Sequence, residues 1–257
     1  MKRQSILFVR SMCVVILFIT LAACKDTDNR VFGDDFDFPA LTDENTIRFT
    51  VNVVGDWRQL DIVASGGRMV IDWGNGRIQK IEDPSSMTGG VVYRYGNKGS
   101  YEVKIWAEEL QLIDISGLLL PLSNLYLGNM PRMKSLALNS ISDTRKLDLN
   151  TFCPNVESIN IGSLADLERL EIGNCSRLRS IQIYSNPKLT SIEFGSHPET
   201  ESLYCSYNGL SSLSLKNLPA LRNIDLSSNE RLSRLELNEE TSISAILIQG
   251  CAFQSIT

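Results

Sequence analysis

The chain has 257 residues, 43% of them hydrophobic and 21% charged, with a formal charge of −5. That is enough for one large or two modest folded units with a buried core, and an acidic chain with no basic stripe is not expected to take a nucleic-acid partner. One histidine, His197, and the lack of any Ser-His-Asp, paired-carboxylate or phosphate-loop pattern leave no enzyme activity, metal or cofactor to expect.

Residues 1–23 begin with Lys2, Arg3 and Arg10 and continue in an apolar run from Met12 to Ala23, too short for a comfortable membrane span. This is the pattern of a secretory signal peptide. It ends in Leu21-Ala22-Ala23-Cys24, which resembles the lipobox of bacterial lipoproteins. The resemblance implies cleavage before Cys24, acylation of that residue and a stable membrane anchor. The expected location is the bacterial cell envelope, in the outer membrane and facing the cell surface. Cleavage removes three positive charges, so −5 becomes −8. Residues 24–44 carry seven acidic residues and two basic ones without strand or helix periodicity, and are expected to be a solvated tether. Lys25-Asp26 and Asp28 resemble the acidic surface-export signal of some Gram-negative lipoproteins; a merely solubilising linker is the alternative.

From Thr46 the pattern alternates, with Ile47, Phe49, Val51 and Val53 on one face and Arg48, Thr50 and Asn52 on the other, as a strand requires. Further strands are expected around residues 60–63, 69–73, 90–93 and 101–105, separated by glycine-rich turns, a spacing that suits a small β-sandwich over residues 45–107. Asp72-Trp73-Gly74-Asn75-Gly76, Tyr93-Arg94-Tyr95 and Gly99-Ser100-Tyr101-Glu102-Val103 resemble a PKD-type, immunoglobulin-like domain, with Asn75 in place of the usual Asp and Tyr93 in place of a common His. The resemblance implies an extracellular spacer or weak binding module. The glycines around Asn75 are expected to make a tight hairpin.

Residues 108–257 are repetitive. Leu125, Leu136, Leu147, Ile159, Leu170, Ile181, Ile192, Leu203, Leu213, Ile224, Leu235, Ile246 and Ile256 start units spaced ten to twelve apart. Alternate units differ five positions on: one set has Asn186, Asn208, Asn229 and Cys251, the other Cys175, His197, Leu218 and Glu240. The repeating coil is therefore expected to span 21–22 residues in two strand-forming halves. Eleven residues with about three buried aliphatics cannot offset their own ordering entropy, so coils must stack into a solenoid. Leu203-Tyr204-Cys205-Ser206-Tyr207-Asn208, followed by Leu221-x-x-Ile224-x-Leu226-x-x-Asn229, resembles the leucine-rich repeats of surface lipoproteins in which such units follow a PKD-like domain. That resemblance implies a non-catalytic binding or adhesion role toward extracellular protein ligands, a surface glycan-binding accessory role being the alternative. The fold class expected is mainly β, an Ig-like sandwich followed by a leucine-rich-repeat solenoid, with irregular units before Leu147 as a cap.

The asparagines are read as structural, their amides satisfying backbone groups of their own and the next coil. Cys205 at an inward position, and Cys175 and Cys251 at the turn, are read as free thiols rather than a disulfide or metal set, together with Cys153. His197 is read as a satisfied turn residue. Glu171, Glu193, Ser214 and Glu236, beside Arg169 and Arg234, are a solvated outer face or an acidic stripe. The candidate ligand surface is the other face, where Gln182, Tyr204 and Asp225 form one outward column and Tyr184 leads the next, so that Tyr184 and Tyr204 are diagonal neighbours within reach of one ligand. The last coil, with Ile246, Leu247, Ile248, Phe253 and Ile256, is expected to favour end-to-end self-association.

Overall fold

The computed structural model describes residues 42, 45–56, 58–82, 90–116, 120–150, 155–253 and 255–256. The expected signal peptide and lipobox Cys24, the expected tether over residues 24–44 apart from residue 42, and Cys153 lie outside them. Among the described residues the chain is mainly β, with no helix.

The first strands are β1 (Thr46–Val53), β2 (Gln59–Ser65), β3 (Met69–Asp72), β4 (Ile78–Ile81), β5 (Val91–Arg94) and β6 (Gly99–Ala107). In β1 the alternation holds: Ile47, Phe49, Val51 and Val53 are buried and the residues between them half-exposed. Four of the six form a sheet that a later strand, β8, completes in the order β4-β3-β6-β1-β8. The hairpin expected at the glycines is present. Asp72 pairs with Ile78, and Trp73 N donates to the Arg77 carbonyl at 3.0 Å. Gly74 and Gly76 take φ of +77° and +88° to turn the chain.

Next come β7 (Leu112–Ser116), β8 (Leu122–Leu127), β9 (Ser135–Asn139), β10 (Lys146–Asp148), β11 (Ser158–Gly162), β12 (Arg169–Ile172) and β13 (Ser180–Tyr184). The chain continues through β14 (Ser191–Phe194), β15 (Ser202–Tyr204), β16 (Ser212–Ser214), β17 (Asn223–Asp225), β18 (Arg234–Glu236), β19 (Ala245–Leu247) and β20 (Ser255–Ile256). Residues 112–247 wind through about six turns of a β-solenoid. On one side β7, β9, β11, β13, β15, β17 and β19 run parallel and in register, stacking Ile113, Leu136, Ile159, Ile181, Leu203, Ile224 and Ile246 in one inward column. The opposite side carries two three-stranded sheets, β10-β12-β14 and β16-β18-β20.

Two features depart from the repeat reading. The unit expected at Leu125 does not join the stack: it lies in β8, which pairs antiparallel with β1 and leaves β1 no open edge. The parallel ladder starts instead at β7, where Ile113 aligns with Leu136. The second feature is continuity. β2 pairs antiparallel with β7, Ile62 opposite Ile115, and with β5 on its other side, so the nine-stranded sheet runs β19-β17-β15-β13-β11-β9-β7-β2-β5 and one apolar core extends from Ile47 to Leu235.

At the ends of β9, β11, β13, β15, β17 and β19 the chain turns through a left-handed residue. Ser140, Ser163, Ser185, Tyr207, Ser228 and Gly250 have φ between +55° and +77°. Their N–H groups cross to the following turn: Ser163 to the Tyr184 carbonyl at 3.0 Å, Tyr207 to Ser227 at 3.0 Å, Ser228 to Gln249 at 2.7 Å. The next residue is the asparagine row, and Asn186, Asn208 and Asn229 are buried. Their side chains bond mainly to backbone groups of the preceding turn and of their own, and Asn186 Nδ2 also reaches forward to Asn208 Oδ1. Asn229 Oδ1 accepts from Asn208 N at 3.0 Å, while Nδ2 donates to the Cys205 carbonyl at 2.7 Å and to Leu226 in its own turn at 2.6 Å. The reason is direction: the N–H of each asparagine points along the stack toward the amide oxygen that follows.

Candidate ligand-binding surface

The outward face of the nine-stranded sheet brings three of the four candidate residues together. Gln182, Tyr204 and Asp225 are register partners on β13, β15 and β17, and the column continues to Asn160 on one side and Leu247 on the other. Tyr204 is 45% exposed and Leu247 58%, whereas Gln182 and Asp225 are half-buried. Gln182 Oε1 accepts from Asn160 Nδ2 at 3.3 Å, and Asp225 Oδ1 from Ser227 N at 2.9 Å. Each polar group in the column thus keeps acceptor or donor capacity for a ligand.

Tyr184 is placed differently. Its register partner is Gly162, and its ring lies across that glycine so closely that any side chain there would collide with it. The phenol donates to Asn139 Oδ1 at 2.7 Å, two strands away on β9. Tyr184 therefore points up the stack, away from β15 and Tyr204.

On the opposite face the acidic column is threaded by cations. Glu171 pairs with Lys146 at 3.0 Å and with Arg169 at 2.8 Å, Arg169 reaches Glu193 at 2.6 Å, and Glu236 meets Lys216 at 3.3 Å and Arg234 at 2.5 Å. Hydrogen bonds from Lys216 and then Ser214 hold Glu236 below the usual carboxylate range, with the charges of Lys216 and Arg234 adding to them. A face whose charges already satisfy one another offers little to a charged partner.

Comparison with known proteins finds no matching family model, no matching curated relative and no matching solved structure. The reading of the surface therefore rests on its chemistry.

Cys175 and Cys205 are buried and Cys251 is half-exposed, and among the described residues none of the three is in a disulfide. Burial pushes the Cys175 thiol up to about 11 and the Cys205 thiol up to about 12. Cys251 takes the asparagine position in its turn and donates Sγ–H to the Leu226 carbonyl at 3.0 Å, a weaker version of the amide's role. His197 is fully buried, edge-on to Phe194, with Nδ1 3.2 Å from the Cys175 carbonyl. Burial lowers its pKa, opposed by the carbonyls of Cys175 and Ile172. Its Nε2 has no hydrogen-bond partner, so the turn histidine is satisfied at one nitrogen only. Among the described residues no group of three or more His, Cys, Asp or Glu is arranged to hold a metal ion.

Trp73, Tyr93, Tyr95 and Tyr101 converge on an aromatic stack. Trp73 and Tyr93 lie parallel with centroids 4.3 Å apart, Tyr95 meets Tyr93 edge-on at 4.9 Å and stacks on Tyr101 at 4.5 Å. Tyr95 donates its hydroxyl to the Trp73 carbonyl at 3.2 Å, and Asn75 Nδ2 donates to the Tyr93 hydroxyl at 2.8 Å. These contacts hold the hairpin down. They are packing, not a cleft.

Glu230 and Arg231 carry no signal in the sequence, whereas Tyr207, with Tyr184 and Tyr204, is an aromatic platform of the kind that favours a glycan ligand. Tyr207, Glu230 and Arg231 border a groove of about 270 Å³ beside the asparagine row, with Pro187 and Gly209. The signal that finds it is a repeat one residue short after Asn208.

Proposed function

We propose that the chain is a non-catalytic binding and adhesion lipoprotein, anchored in the bacterial cell envelope through Cys24, that presents a leucine-rich-repeat solenoid of 21–22-residue coils behind an Ig-like, PKD-like unit. Its ligand is an extracellular protein, taken on the outward face of the nine-stranded sheet. The observation that carries this reading is the in-register column Gln182, Tyr204, Asp225 and Leu247, in which an exposed aromatic and an exposed aliphatic flank a carboxylate. Protein-binding surfaces are built from such apolar anchors set among a few polar groups. The opposite face, with its charges mutually paired, lacks them.

The test is a protein and glycan array probed with the full chain and with Tyr204→Ala, Leu247→Ala and Tyr184→Ala variants. Protein spots that dim at least tenfold with Tyr204→Ala at unchanged melting temperature support the reading. Because the Tyr184 phenol is held by Asn139, Tyr184→Ala should lower the melting temperature more than Tyr204→Ala does. Protein spots equally bright for the Tyr204→Ala and Leu247→Ala variants refute the proposed face. The glycan-binding alternative draws on the aromatic platforms Tyr184, Tyr204 and Tyr207, the last 63% exposed outside this column.

A further inference from the structure

The turns that follow Asn186 and Asn229 have one length, and the turn between them, after Asn208, is shorter. Leu189 N donates to the Asn186 carbonyl at 3.0 Å, and Leu232 N to the Asn229 carbonyl at 2.9 Å, closing matching turns. Between them, Asn208 is followed by Gly209 and at once by Leu210: one residue is missing and the one that remains has no side chain. Gly209 N reaches instead across to the Asn186 carbonyl at 3.3 Å. A Cβ on Gly209 would run into the Pro187 carbonyl, so the short turn admits only glycine. The deletion opens a notch of about 270 Å³ with Gly209 at its floor, Pro187 on one wall and Glu230 and Arg231 on the other.

Tyr207 stands at the rim. Its φ of +58° places an aromatic residue where the other turns of this row have Ser140, Ser163, Ser185, Ser228 or Gly250. A bulky side chain in the left-handed region is uncommon and strained, and such strain collects at functional positions. The ring is 63% exposed. Glu230 and Arg231 are exposed and make no ion pair among the described residues, whereas the nearby Lys188 is bound to Asp166 at 2.7 Å.

We propose that this notch is a carbohydrate site that takes one pyranose ring, its C–H face against Tyr207 and its vicinal hydroxyls toward the Glu230 carboxylate and the Arg231 guanidinium. A stacking ring beside one acceptor and one multiple donor matches a sugar, which offers an apolar face and hydroxyls that both give and accept. The volume, just under the ~300 Å³ lower end of small-molecule pockets, suits a single ring. The two wall charges cancel, which selects a neutral ligand. A peptide strand would need free backbone groups to pair with. Here they are engaged: Tyr207 N with the Ser227 carbonyl, Asn208 N with Asn229 Oδ1, Gly209 N with Asn186. The site is separate from the Tyr204 column and does not depend on protein binding there.

Saturation-transfer NMR on the full-length chain, with methyl glycosides of glucose, galactose, mannose and N-acetylglucosamine at roughly 1–10 mM, tests the assignment over the range of weak single-ring affinities. At least one glycoside should receive saturation. Tyr207→Gly should weaken it at least tenfold while the melting temperature stays or rises, since glycine suits φ of +58°; Tyr207→Ser, the residue of four equivalent turns, should do the same. Glu230→Gln combined with Arg231→Ala should weaken binding several-fold, and Tyr204→Ala should not. No saturation of any glycoside, undiminished saturation in both Tyr207 variants, or loss with Tyr204→Ala instead would overturn the proposal. So would competition of the signal by an unrelated extended peptide.

Discussion

Asn186 and Asn208, equivalent residues of neighbouring turns, are joined twice through one oxygen: the backbone N–H of Asn186 donates to Asn208 Oδ1 at 3.2 Å, and its Nδ2 donates to the same atom at 3.0 Å. The bond repeats one turn on, from Asn208 N to Asn229 Oδ1. Asn229→Ala removes this acceptor and the two donors that Asn229 gives to the Cys205 and Leu226 carbonyls, all of them buried. It should cost about 1–3 kcal/mol. Denaturant unfolding checks this; an unchanged midpoint contradicts it.

Gly74 and Gly76 both sit at positive φ, yet their replacement by alanine should differ. At Gly74 a Cβ would lie 2.5 Å from the Glu102 carbonyl oxygen and 2.8 Å from its nitrogen, whereas at Gly76 it meets nothing within 4 Å. Gly76→Ala should cost about 1–2 kcal/mol, the left-handed penalty alone. Gly74→Ala should cost clearly more, because backbone must move. Equal melting temperatures for the two variants would contradict the hairpin's placement against β6.

His197 links stability to pH. Burial holds its folded pKa below the ordinary 6.5, so between those two values the unfolded chain takes up a proton that the folded chain refuses. Its contribution is complete above about pH 6.5 and is lost as pH falls through that value toward the folded pKa. Replacement by leucine, the residue of the same row at Leu218, should flatten melting temperature against pH in the window just below 6.5. Parallel curves for parent and variant would show that His197 charges freely in the folded state.

Thiol labelling should follow burial. With Cys205 raised to about 12 and Cys175 to about 11, each has a thiolate fraction at pH 8 about a hundredfold or more below that of a thiol at 9.0. Cys251, half-exposed, should react first, and Cys175 and Cys205 only on unfolding. Site-resolved mass spectrometry after iodoacetamide checks the order; early labelling of Cys205 contradicts the inward placement.

The proposed anchor is open to a direct test. Cys24→Ala should move the protein from the membrane fraction to the soluble one and abolish incorporation of labelled palmitate. Equal labelling of variant and parent removes Cys24 as the acylated residue.

What the sequence made legible is what repeats. The inward column from Leu136 to Ile246 and the buried asparagines follow from periodicity, because each is forced by stacking one turn on its neighbour. The first turn was not legible: Ile113 and Ile115 alternate over too few residues to be separated from the preceding unit, while Leu125 keeps the spacing but is claimed by the free edge of β1. Tyr184 escaped for a different reason. Its direction depends on Gly162 and Asn139, register partners in other turns, and no pattern within one repeat encodes that a long side chain will lie across a glycine. The notch escaped because it is a break in the period rather than an instance of it.

The pairing of Ile62 on β2 with Ile115 on β7 also bears on how such a chain can change over generations. On the nine-stranded side every interior turn of the solenoid meets its neighbours through the same parallel edges, so there a turn can be duplicated or lost in the middle without either side registering a new surface. The junction has no such freedom: β2 offers antiparallel geometry, and only a strand with the spacing of β7 can read it. Length in this architecture is therefore free to vary inside the repeat, while the first turn and the β unit it joins must be inherited together.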